Sequence, residues 1–354
     1  MMNLPPGVRS VTTQTSRLRL HHLEAGPVDG VPLVLVHGNL SSGRFYEDVM
    51  PALAKTHRVI APDMRGFGDS ERVTLDATRG LADWADDIAA LLEALDIDQA
   101  PHLLGWSTGA GAITRYVLDG RTAASLTLMD PVPPYGFVGM HADGTPWFSD
   151  YAGCGAGVMN AEFTERIAAG DRSTDSLASP RNVAAGFWGE APPISQERVD
   201  VLIDELLKTW VSEDNFPGSV LPSENWPGIA PGTTGILNAL SPKYCDWSRI
   251  TELGSKPPIM WIQGGQDDVI SNASHNDPAT LGAAGLIPGW PGEDVCPAQP
   301  MITQIRDVLQ AYEDAGGRTR TEWFEASHHL PMIEEPDRWL QAVSSFVAEA
   351  DAIA

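Results

Sequence analysis

Cysteine is scarce in this sequence. Three cysteines occur in 354 residues, far apart and without a C-x-x-C pair: Cys154, Cys245 and Cys296. An odd and scattered set is not the arrangement of a disulfide framework or of a cysteine-based zinc site. We therefore expect a fold that is stabilised by its apolar core, for which a hydrophobic content of 43% is sufficient.

Basic residues are also scarce. The chain has 23 Lys and Arg against 47 Asp and Glu, which gives a formal net charge of −24. Binding to nucleic acid or to an anionic membrane surface depends on clustered Lys and Arg. The charge balance therefore argues against both kinds of partner.

Long apolar runs are absent. No stretch approaches the roughly 20 apolar residues of a membrane-spanning helix. The first seven residues, Met1 to Gly7, lack the basic segment followed by an apolar one with which a signal peptide begins. We therefore expect a soluble cytoplasmic protein, and nothing in the sequence indicates its oligomeric state.

Motifs for metals and for nucleotide cofactors are missing as well. The chain contains no H-E-x-x-H, and no lysine follows a glycine as in a phosphate-binding loop. Gly153, Gly155 and Gly157 lack the strand and helix that flank a dinucleotide-binding loop. We expect neither a metal nor a cofactor.

Short apolar runs alternate with helix-like segments over much of the chain. Runs without internal alternation are typical of strands buried on both faces of a parallel sheet. Strand–helix alternation predicts such a sheet, covered by helices on both faces. The predicted strands are a hairpin that includes 17–23, and 32–38, 58–63, 101–106, 125–130, 258–264 and 319–324; the predicted helices are 84–95, 301–315 and 339–347.

The alternation is interrupted twice. Residues 131–245 are rich in Gly, Pro and Trp and contain one strongly periodic helix, which Ser195 is placed to cap. Residues 271–300 form a second interruption. We predict that 131–245 is a cap or lid inserted into a core domain of residues 1–130 and 246–354, and that 271–300 is an insertion within that core.

A catalytic motif follows one of the predicted strands. Gly105-Trp106-Ser107-Thr108-Gly109 matches the G-x-S-x-G nucleophile elbow, which requires a strand before it and a helix after it. Glycines flank the serine because larger residues would clash in this tight, strained turn. The motif predicts that Ser107 is a nucleophile.

An earlier strand ends in His37-Gly38-Asn39. This is the position from which the second donor of an oxyanion hole must come when the first donor follows the nucleophile. We predict that the backbone N–H groups of Asn39 and Thr108 form this hole. His37 then braces the loop and does not act as a base.

Two further segments extend the pattern: Asp63-Met64-Arg65-Gly66-Phe67-Gly68-Asp69-Ser70 and Ser327-His328-His329-Leu330-Pro331-Met332. With the elbow and the His37 loop, they resemble the α/β-hydrolase superfamily, especially its capped esterase, haloperoxidase-like and proline-iminopeptidase-like branches. The resemblance covers residues from about 17 to 130 and from 255 to 350. It implies the α/β-hydrolase fold and a structural role for residues 63–70.

The resemblance also implies the base. The family places its histidine in a loop after the last strand, within a G-H-x-P-like sequence. His329-Leu330-Pro331 fits this register. Because adjacent side chains on an extended segment diverge, His328 and His329 cannot both reach Ser107, and the register favours His329.

The resemblance leaves alternatives for the acid. Gly264-Gly265-Gln266-Asp267-Asp268-Val269-Ile270 is similar to the family's segment after the penultimate strand and favours Asp267. Asp268, one residue out of register, is an alternative. Asp130 is another, because some branches place the acid after the strand that follows the elbow. The acid would hold the histidine in the required tautomer and stabilise its protonated form.

The resemblance implies a serine hydrolase that cleaves a small carboxylic ester or a lactone through an acyl-enzyme on Ser107. A serine at this position argues against haloalkane dehalogenases and epoxide hydrolases, whose family position is an aspartate. The alternatives are cleavage of an amide, as in aminopeptidases, or of a C–C bond beside a carbonyl. A non-catalytic, hydrolase-like binding protein is the alternative from another class.

The alternatives require charged residues in the pocket. C–C hydrolysis usually uses a pocket arginine, and Arg115, eight residues beyond the nucleophile, lies too far along its helix. Aminopeptidases use acidic cap residues to hold the free amine of the substrate. Candidates for that role are Glu162, Glu165, Asp204, Glu205 and Glu213.

Overall fold

The computed structural model describes residues 4–189 and 193–352. Residues 1–3, part of the stretch in which we predict no signal peptide, lie outside the described residues. The same holds for 190–192 within the predicted cap and for 353–354. In the described part of the chain, no helix has the length and apolar character that crossing a membrane requires.

The strands form one large sheet and two small ones. In chain order the strands of the described residues are β1 (Arg9–Gln14), β2 (Arg19–Ala25), β3 (Val31–Val36), β4 (His57–Pro62), β5 (His102–Trp106), β6 (Ser125–Met129), β7 (Val211–Ser212), β8 (Phe216–Pro217), β9 (Val220–Pro222), β10 (Ile229–Pro231), β11 (Ile259–Gly264) and β12 (Thr319–Phe324). The large sheet has the order β1-β2-β4-β3-β5-β6-β11-β12. Strands β7 with β8, and β9 with β10, form the small pairs.

The large sheet is mostly parallel. The pairs from β4 to β12 in this order are parallel, whereas β1 with β2 and β2 with β4 are antiparallel. Strands β4, β5, β6 and β11 are buried along their whole length, as expected where helices cover both faces of a sheet. The predicted α/β-hydrolase fold is confirmed.

Helices surround this sheet. In chain order they are α1 (Met50–Leu53), α2 (Ala82–Ala94), α3 (Thr108–Leu118), α4 (Ala161–Ala168), α5 (Pro180–Trp188), α6 (Gln196–Leu206), α7 (Ile236–Ala239), α8 (Pro278–Ala283), α9 (Met301–Asp314), α10 (Pro331–Glu334) and α11 (Pro336–Asp351). Short 3₁₀ helices span Gly43–Tyr46, Ala77–Arg79, Ala156–Val158 and Ser248–Glu252. In α11 the buried residues Trp339, Val343, Phe346 and Val347 recur every three to four positions, so one face of the helix is buried and the other is solvated.

The Asp63–Ser70 segment joins loops, as its predicted structural role requires. The Asp63 carboxylate accepts hydrogen bonds from the Gly43 N–H at 2.8 Å and from the Asp69 N–H at 2.8 Å. The Arg65 guanidinium pairs with the buried carboxylate of Asp87 on α2 at 2.6 Å. These contacts connect the loop after β4 to two neighbouring elements.

Residues 131–245 contain more helix than the sequence predicts. The predicted helix is α6, and the Ser195 hydroxyl accepts a hydrogen bond from the Arg198 N–H. The prediction of one strong helix is wrong, because α4 and α5 are also present. Only Phe163 and Ile167 of α4 are buried, which is too short a stripe for a clear periodic pattern. The division into a core domain and a cap remains a prediction.

The 271–300 segment packs against the 131–245 segment. Trp147, Ala279 and Cys296 form a small buried cluster, against which Trp226 and Trp290 pack. The Trp226 indole N–H donates a hydrogen bond to the carbonyl oxygen of Pro288 at 3.0 Å. The 131–245 and 271–300 segments are therefore held together by apolar packing and by a hydrogen bond.

Candidate active site

Ser107 lies at the tight turn between β5 and α3. Its backbone has φ 54° and ψ −114°, a conformation that residues other than glycine rarely adopt. A Cβ atom at Gly105 would clash with the backbone of Gly109, and one at Gly109 would clash with the carbonyl oxygen of Val36. The sequence motif and the geometry agree, since both glycines are required for this turn.

The loop after β3 lies directly against Ser107. A Cβ atom at Gly38 would lie 3.1 Å from the Cβ atom of Ser107. Asn39, on this loop, and Thr108, the first residue of α3, line one cavity together with Ser107. The structure thus brings the two residues predicted for the oxyanion hole to the same cavity as the serine.

His37 holds this loop in place. Its Nδ1–H donates to the carbonyl oxygen of Gly38 at 2.6 Å, and its Nε2 accepts from the Met64 N–H at 2.9 Å. Complete burial lowers the pKa of His37 to about 4, so the ring is neutral and can use one nitrogen as donor and the other as acceptor.

His329 faces the same cavity as Ser107. Its Nδ1 lies 2.7 Å from Oδ2 of Asp267, so the tautomer assigned from this contact carries its proton on Nδ1. The imidazole packs against Trp106 with ring centroids 5.3 Å apart. The described residues show no hydrogen bond between the side chains of Ser107 and His329, and such contacts often form only when substrate is bound.

Asp267 has a buried carboxyl group that accepts several hydrogen bonds from the protein. Its Oδ1 accepts hydrogen bonds from the N–H groups of Val269 at 2.7 Å and Ile270 at 3.1 Å. Its Oδ2 accepts from His329 and, at 3.4 Å, from the Gln263 amide. These contacts fix the carboxyl group of Asp267 in place against the imidazole of His329.

The alternative acids have other contacts. Asp130 is fully buried near the imidazole, but its Oδ1 accepts from the Gly264 N–H at 2.7 Å and not from His329. Asp268 is 60% exposed at its side chain, with Oδ2 3.5 Å from Nδ1 of His275. The geometry therefore favours Asp267 as the partner of His329.

His328 points elsewhere. Its Nδ1 lies 2.8 Å from a carboxylate oxygen of Glu334, and its backbone N–H donates to the other oxygen of the same carboxylate. Of the two adjacent histidines, His329 lines the cavity beside Ser107.

The cavity has a volume of about 370 Å³ and extends from Ser107 between the sheet and the two insertions. Among the described residues that line it there is no Lys, Arg, Asp or Glu. The lining residues are mostly apolar: Asn39, Leu40, Trp106, Ser107, Thr108, Val132, Phe137, Val138, Gly155, Val158, Met159, Asn160, Phe163, Leu177, Ala178, Val183, Phe187, Leu237, Leu240, Val269, Ile270, His275, Asn276, Leu281 and His329.

Three polar or aromatic residues of this lining have no signal in the sequence. Phe187, on the unpredicted helix α5, contacts the His329 ring, and Asn160 is the N-cap of α4. His275, which belongs to no sequence motif, is 70% exposed at its side chain and also lines the cavity. Their positions depend on how the two insertions fold over the sheet.

Metal-binding atoms come together at three places in the described residues, each set within 4.8 Å: Asp130, Asp267 and His329; His57, His102 and Asp351; His21, Asp63 and Asp69. In every set an imidazole nitrogen is already hydrogen-bonded to a carboxylate, as in His102 with Asp351 at 3.0 Å. A metal would have to displace these bonds.

The family model of the alpha/beta hydrolase fold matches residues 31–289. The chain therefore belongs to the α/β-hydrolase fold family. Because the match runs from β3 through β11 and includes the elbow, the family assignment applies to most of the chain and not to an isolated motif.

Individual proteins are similar over shorter stretches. The chain is 33% identical over 192 residues to non-heme chloroperoxidase of Streptomyces lividans. The aligned stretch covers 53% of this chain and 64% of that protein. It is 41% identical over 112 residues to 2-hydroxymuconate semialdehyde hydrolase of Pseudomonas sp. (strain CF600). This stretch covers 31% of this chain and 38% of that protein. The chain thus spans less than two thirds of the length of either relative.

The fold is also similar to that of solved esterase structures. Esterase RhEst1 from Rhodococcus sp. ECU1013 superimposes with a TM-score of 0.59, covering 97% of this chain and 98% of that one, at 18% identity. At this identity the likeness concerns the fold alone.

Proposed function

We propose that the protein is a serine hydrolase that cleaves uncharged, largely apolar carboxylic esters or lactones through an acyl-enzyme on Ser107. The observation that carries this proposal is the cavity that opens at Ser107 and has an apolar lining without charged Lys, Arg, Asp or Glu side chains among the described residues. Burying an ionised substrate group there without a partner would be strongly unfavourable. A neutral acyl compound fits the site.

The arrangement supports a two-step reaction. Nε2 of His329 takes the proton of the Ser107 hydroxyl while the oxygen attacks the acyl carbon. Asp267 stabilises the imidazolium through the bond to Nδ1, and the N–H groups of Asn39 and Thr108 bind the oxyanion. The leaving alcohol takes the proton from His329, and water then cleaves the acyl-enzyme with the same residue as base.

We further propose that residues 131–245 act as the cap over this site and select the substrate. They contribute most of the apolar side chains of the cavity, including Phe137, Met159, Phe163 and Val183. Apolar surface of this kind favours an aromatic or aliphatic substrate body by removing it from water.

Amide cleavage of the aminopeptidase type has less support, because the acidic candidates face away from the cavity. Glu162 pairs with Arg166 at 2.8 Å, and Asp204 pairs with Arg172 at 2.6 Å. Glu205 is buried, but its carboxylate accepts from the Ser42 hydroxyl at 2.8 Å and lies 3.0 Å from Lys208. Glu165 and Glu213 are exposed and do not line the cavity.

C–C bond cleavage is the second candidate function. The 41% identity to 2-hydroxymuconate semialdehyde hydrolase over 112 residues favours it. The cavity does not, because a dione-like or carboxylate-bearing substrate would need a cationic partner. Arg115 pairs with Asp119 at 2.8 Å on the solvent side of α3, and no arginine of the described chain lines the cavity.

The test combines covalent labelling with turnover. The purified protein is treated with a fluorophosphonate probe, the adduct is located by mass spectrometry, and a panel of esters, lactones and aminoacyl amides is assayed with Ser107→Ala as control. We expect an adduct on Ser107 and hydrolysis of neutral esters or lactones that the variant lacks. If no adduct forms and no substrate is turned over, the protein is a hydrolase-like binding protein and the proposal fails.

A further inference from the structure

Asp130 is a second carboxyl group beside the proposed triad that the mechanism does not use. It follows β6, has φ 41° and is fully buried. Its N–H donates to the carbonyl oxygen of Ile262 at 2.9 Å, and its Oδ1 accepts from the Gly264 N–H at 2.7 Å. Two contacts with the backbone of β11 therefore fix where this carboxyl group lies.

The other oxygen of Asp130 lacks a donor. Oδ2 is buried and has no hydrogen-bond partner among the described residues. Coordinating atoms of Asp130, Asp267 and His329 all lie within 4.8 Å of one another. An ionised oxygen in such a place would pay the full cost of desolvation, whereas an oxygen that carries a proton can donate it to the neighbouring carboxylate.

The surroundings decide which carboxyl group holds the proton. Asp267 accepts hydrogen bonds from two backbone N–H groups and from His329, so both of its oxygens already act as acceptors. Burial first, and then the negative charge of Asp267, raise the pKa of Asp130 well above its usual range. Two carboxyl groups this close cannot both be ionised without strong repulsion, so the proton belongs on Asp130.

The other titratable groups described near Asp130 either raise its pKa further or remain neutral. The negative charge of Glu334, on α10, also raises the pKa of Asp130. Burial raises the pKa of Tyr46 well above its usual range, so this phenol stays neutral. In the described part of the chain, the basic side chain in contact with this pair is His329, whose Nδ1 lies 2.7 Å from Oδ2 of Asp267.

We propose that Asp130 is a positioning residue whose protonated carboxyl group donates a hydrogen bond to Asp267 and holds this carboxylate against His329. The inference rests on the proposed serine-hydrolase function for its effect on catalysis. The hydrogen bond from protonated Asp130 to Asp267 does not depend on whether the protein is a serine hydrolase.

The first test is spectroscopic and needs no substrate. Infrared difference spectra of wild type against Asp130→Asn are recorded at pH 7, where exposed carboxyl groups are ionised. We expect the carbonyl band of one neutral carboxylic acid in the wild type that the variant lacks. Absence of this band, with both proteins folded by circular dichroism, would show that Asp130 is ionised and would overturn the proposal.

The second test is kinetic. Asp130→Asn keeps an acceptor for the Gly264 N–H and an N–H donor for Asp267, whereas Asp130→Ala loses both. We expect kcat of the alanine variant to be lower than that of the asparagine variant by on the order of 10- to 100-fold, which corresponds to a lost hydrogen bond to a charged group. Equal activities of the two variants would contradict a positioning role.

The pH profile separates a neutral Asp130 from an ionised one. An ionised Asp130 would raise the pH at which His329 loses its proton, so Asp130→Asn would move the acid limb of kcat/KM to lower pH by about one unit or more. With a neutral Asp130 we expect the limb to stay within about 0.3 units of the wild-type position. Asp268→Asn is the matched control, because it removes an exposed charge from the loop that carries Asp267.

These outcomes are independent of the proposed function. If fluorophosphonate labels Ser107 and esters are hydrolysed, but the infrared band is missing or the acid limb shifts, the role of Asp130 is wrong and the serine-hydrolase proposal stands. If the band is present and no acyl compound is cleaved, the serine-hydrolase proposal fails while the proton-sharing pair remains. The spectroscopic test also stands should the alanine variant fail to fold.

Discussion

The carbonyl oxygen of Phe187 accepts a hydrogen bond from the backbone N–H of His329 at 3.1 Å, and the two rings lie 6.0 Å apart. Phe187 belongs to α5 in the predicted cap, whereas His329 lies in the loop after β12. The residue proposed as base is therefore in direct contact with the segment proposed to select the substrate. Movement of α5 would disturb the imidazole as well as the cavity.

Phe187→Ala tests this contact. The variant keeps the backbone hydrogen bond but removes the ring that packs on His329 and lines the cavity. We expect kcat/KM for an apolar ester to fall by about tenfold or more, as for other losses of apolar contact in substrate pockets. Phe187→Leu, which keeps most of the apolar volume, should lose less. Equal values for the two variants in a steady-state assay would contradict a packing role for the ring.

Ser107→Ala removes the proposed nucleophile. We expect kcat to fall by several orders of magnitude, on the order of 10⁶ for a triad serine, while the fold is retained. Alanine and serine both carry a Cβ atom and are equally strained in this backbone conformation. The melting temperature should therefore change little. Near-normal turnover by the purified, folded variant would refute the catalytic assignment.

Asp267→Asn tests the choice of acid. The amide cannot stabilise a protonated His329 and favours the wrong tautomer, so we expect a loss of about 10⁴ in kcat. Asp268→Asn should have far less effect because its side chain is exposed and contacts His275. Asp130→Asn should also cost far less than Asp267→Asn. If another variant lost more activity than Asp267→Asn, the acid would be assigned to that position. The assignments of Ser107 and His329 would not change.

The acid illustrates what the sequence could and could not predict. β6 and β11 are adjacent parallel strands, with Met129 opposite Ile262, so both Asp130 and Asp267 emerge at the same edge of the sheet. The strand pattern predicts this edge. Which carboxylate meets the imidazole depends on the conformations of the loops after β11 and β12, for which the sequence carries no periodic signal.

The cavity shows a similar limit. The core strands were predictable from short, unbroken apolar runs, and α2, α9 and α11 from apolar stripes at helical spacing. The short helix α5 begins with Pro180 and contains Gly186, so its pattern is weak although it places Phe187 beside His329. The lining of the cavity is determined by tertiary contacts between the two insertions, such as Trp226 with the Pro288 carbonyl.

Buried histidine should make stability depend on pH. His22 on β2 is fully buried, and burial lowers its pKa to about 4 from the usual value of about 6.5. Between these values the unfolded chain binds a proton that the folded protein does not, so stability falls as pH decreases through this range. Because of this one histidine, the free energy of unfolding is about 2 kcal/mol lower at pH 5 than at pH 7.

His22→Phe removes that titration while keeping a buried ring of similar size. We expect the free energy of unfolding in urea to fall between pH 7 and pH 5 by about 2 kcal/mol more in wild type than in the variant. The comparison concerns the change with pH, because loss of the 3.0 Å contact with Thr13 lowers the stability of the variant at both values. Parallel pH dependences would mean that His22 is protonated in the folded protein.

Among the described residues, the lining of the cavity has no Lys, Arg, Asp or Glu, which leads to the prediction that most directly separates the candidate chemistries. Short or medium-chain p-nitrophenyl esters, or a lactone, should be hydrolysed. An ester of matched size that carries a carboxylate should be cleaved at least about tenfold less efficiently, because its charge would lose water without gaining a partner.

Proline p-nitroanilide is the decisive comparison. Its cleavage would require an acidic side chain to hold the free amine, and among the described residues the cavity lining includes none. We therefore expect little or no release of p-nitroaniline under conditions in which the esters are hydrolysed. If the anilide is cleaved faster than every ester and lactone tested, the ester assignment is wrong. Glu205 would then be the first residue to replace, because this buried carboxylate lies at the junction of α6 with the loop after β3.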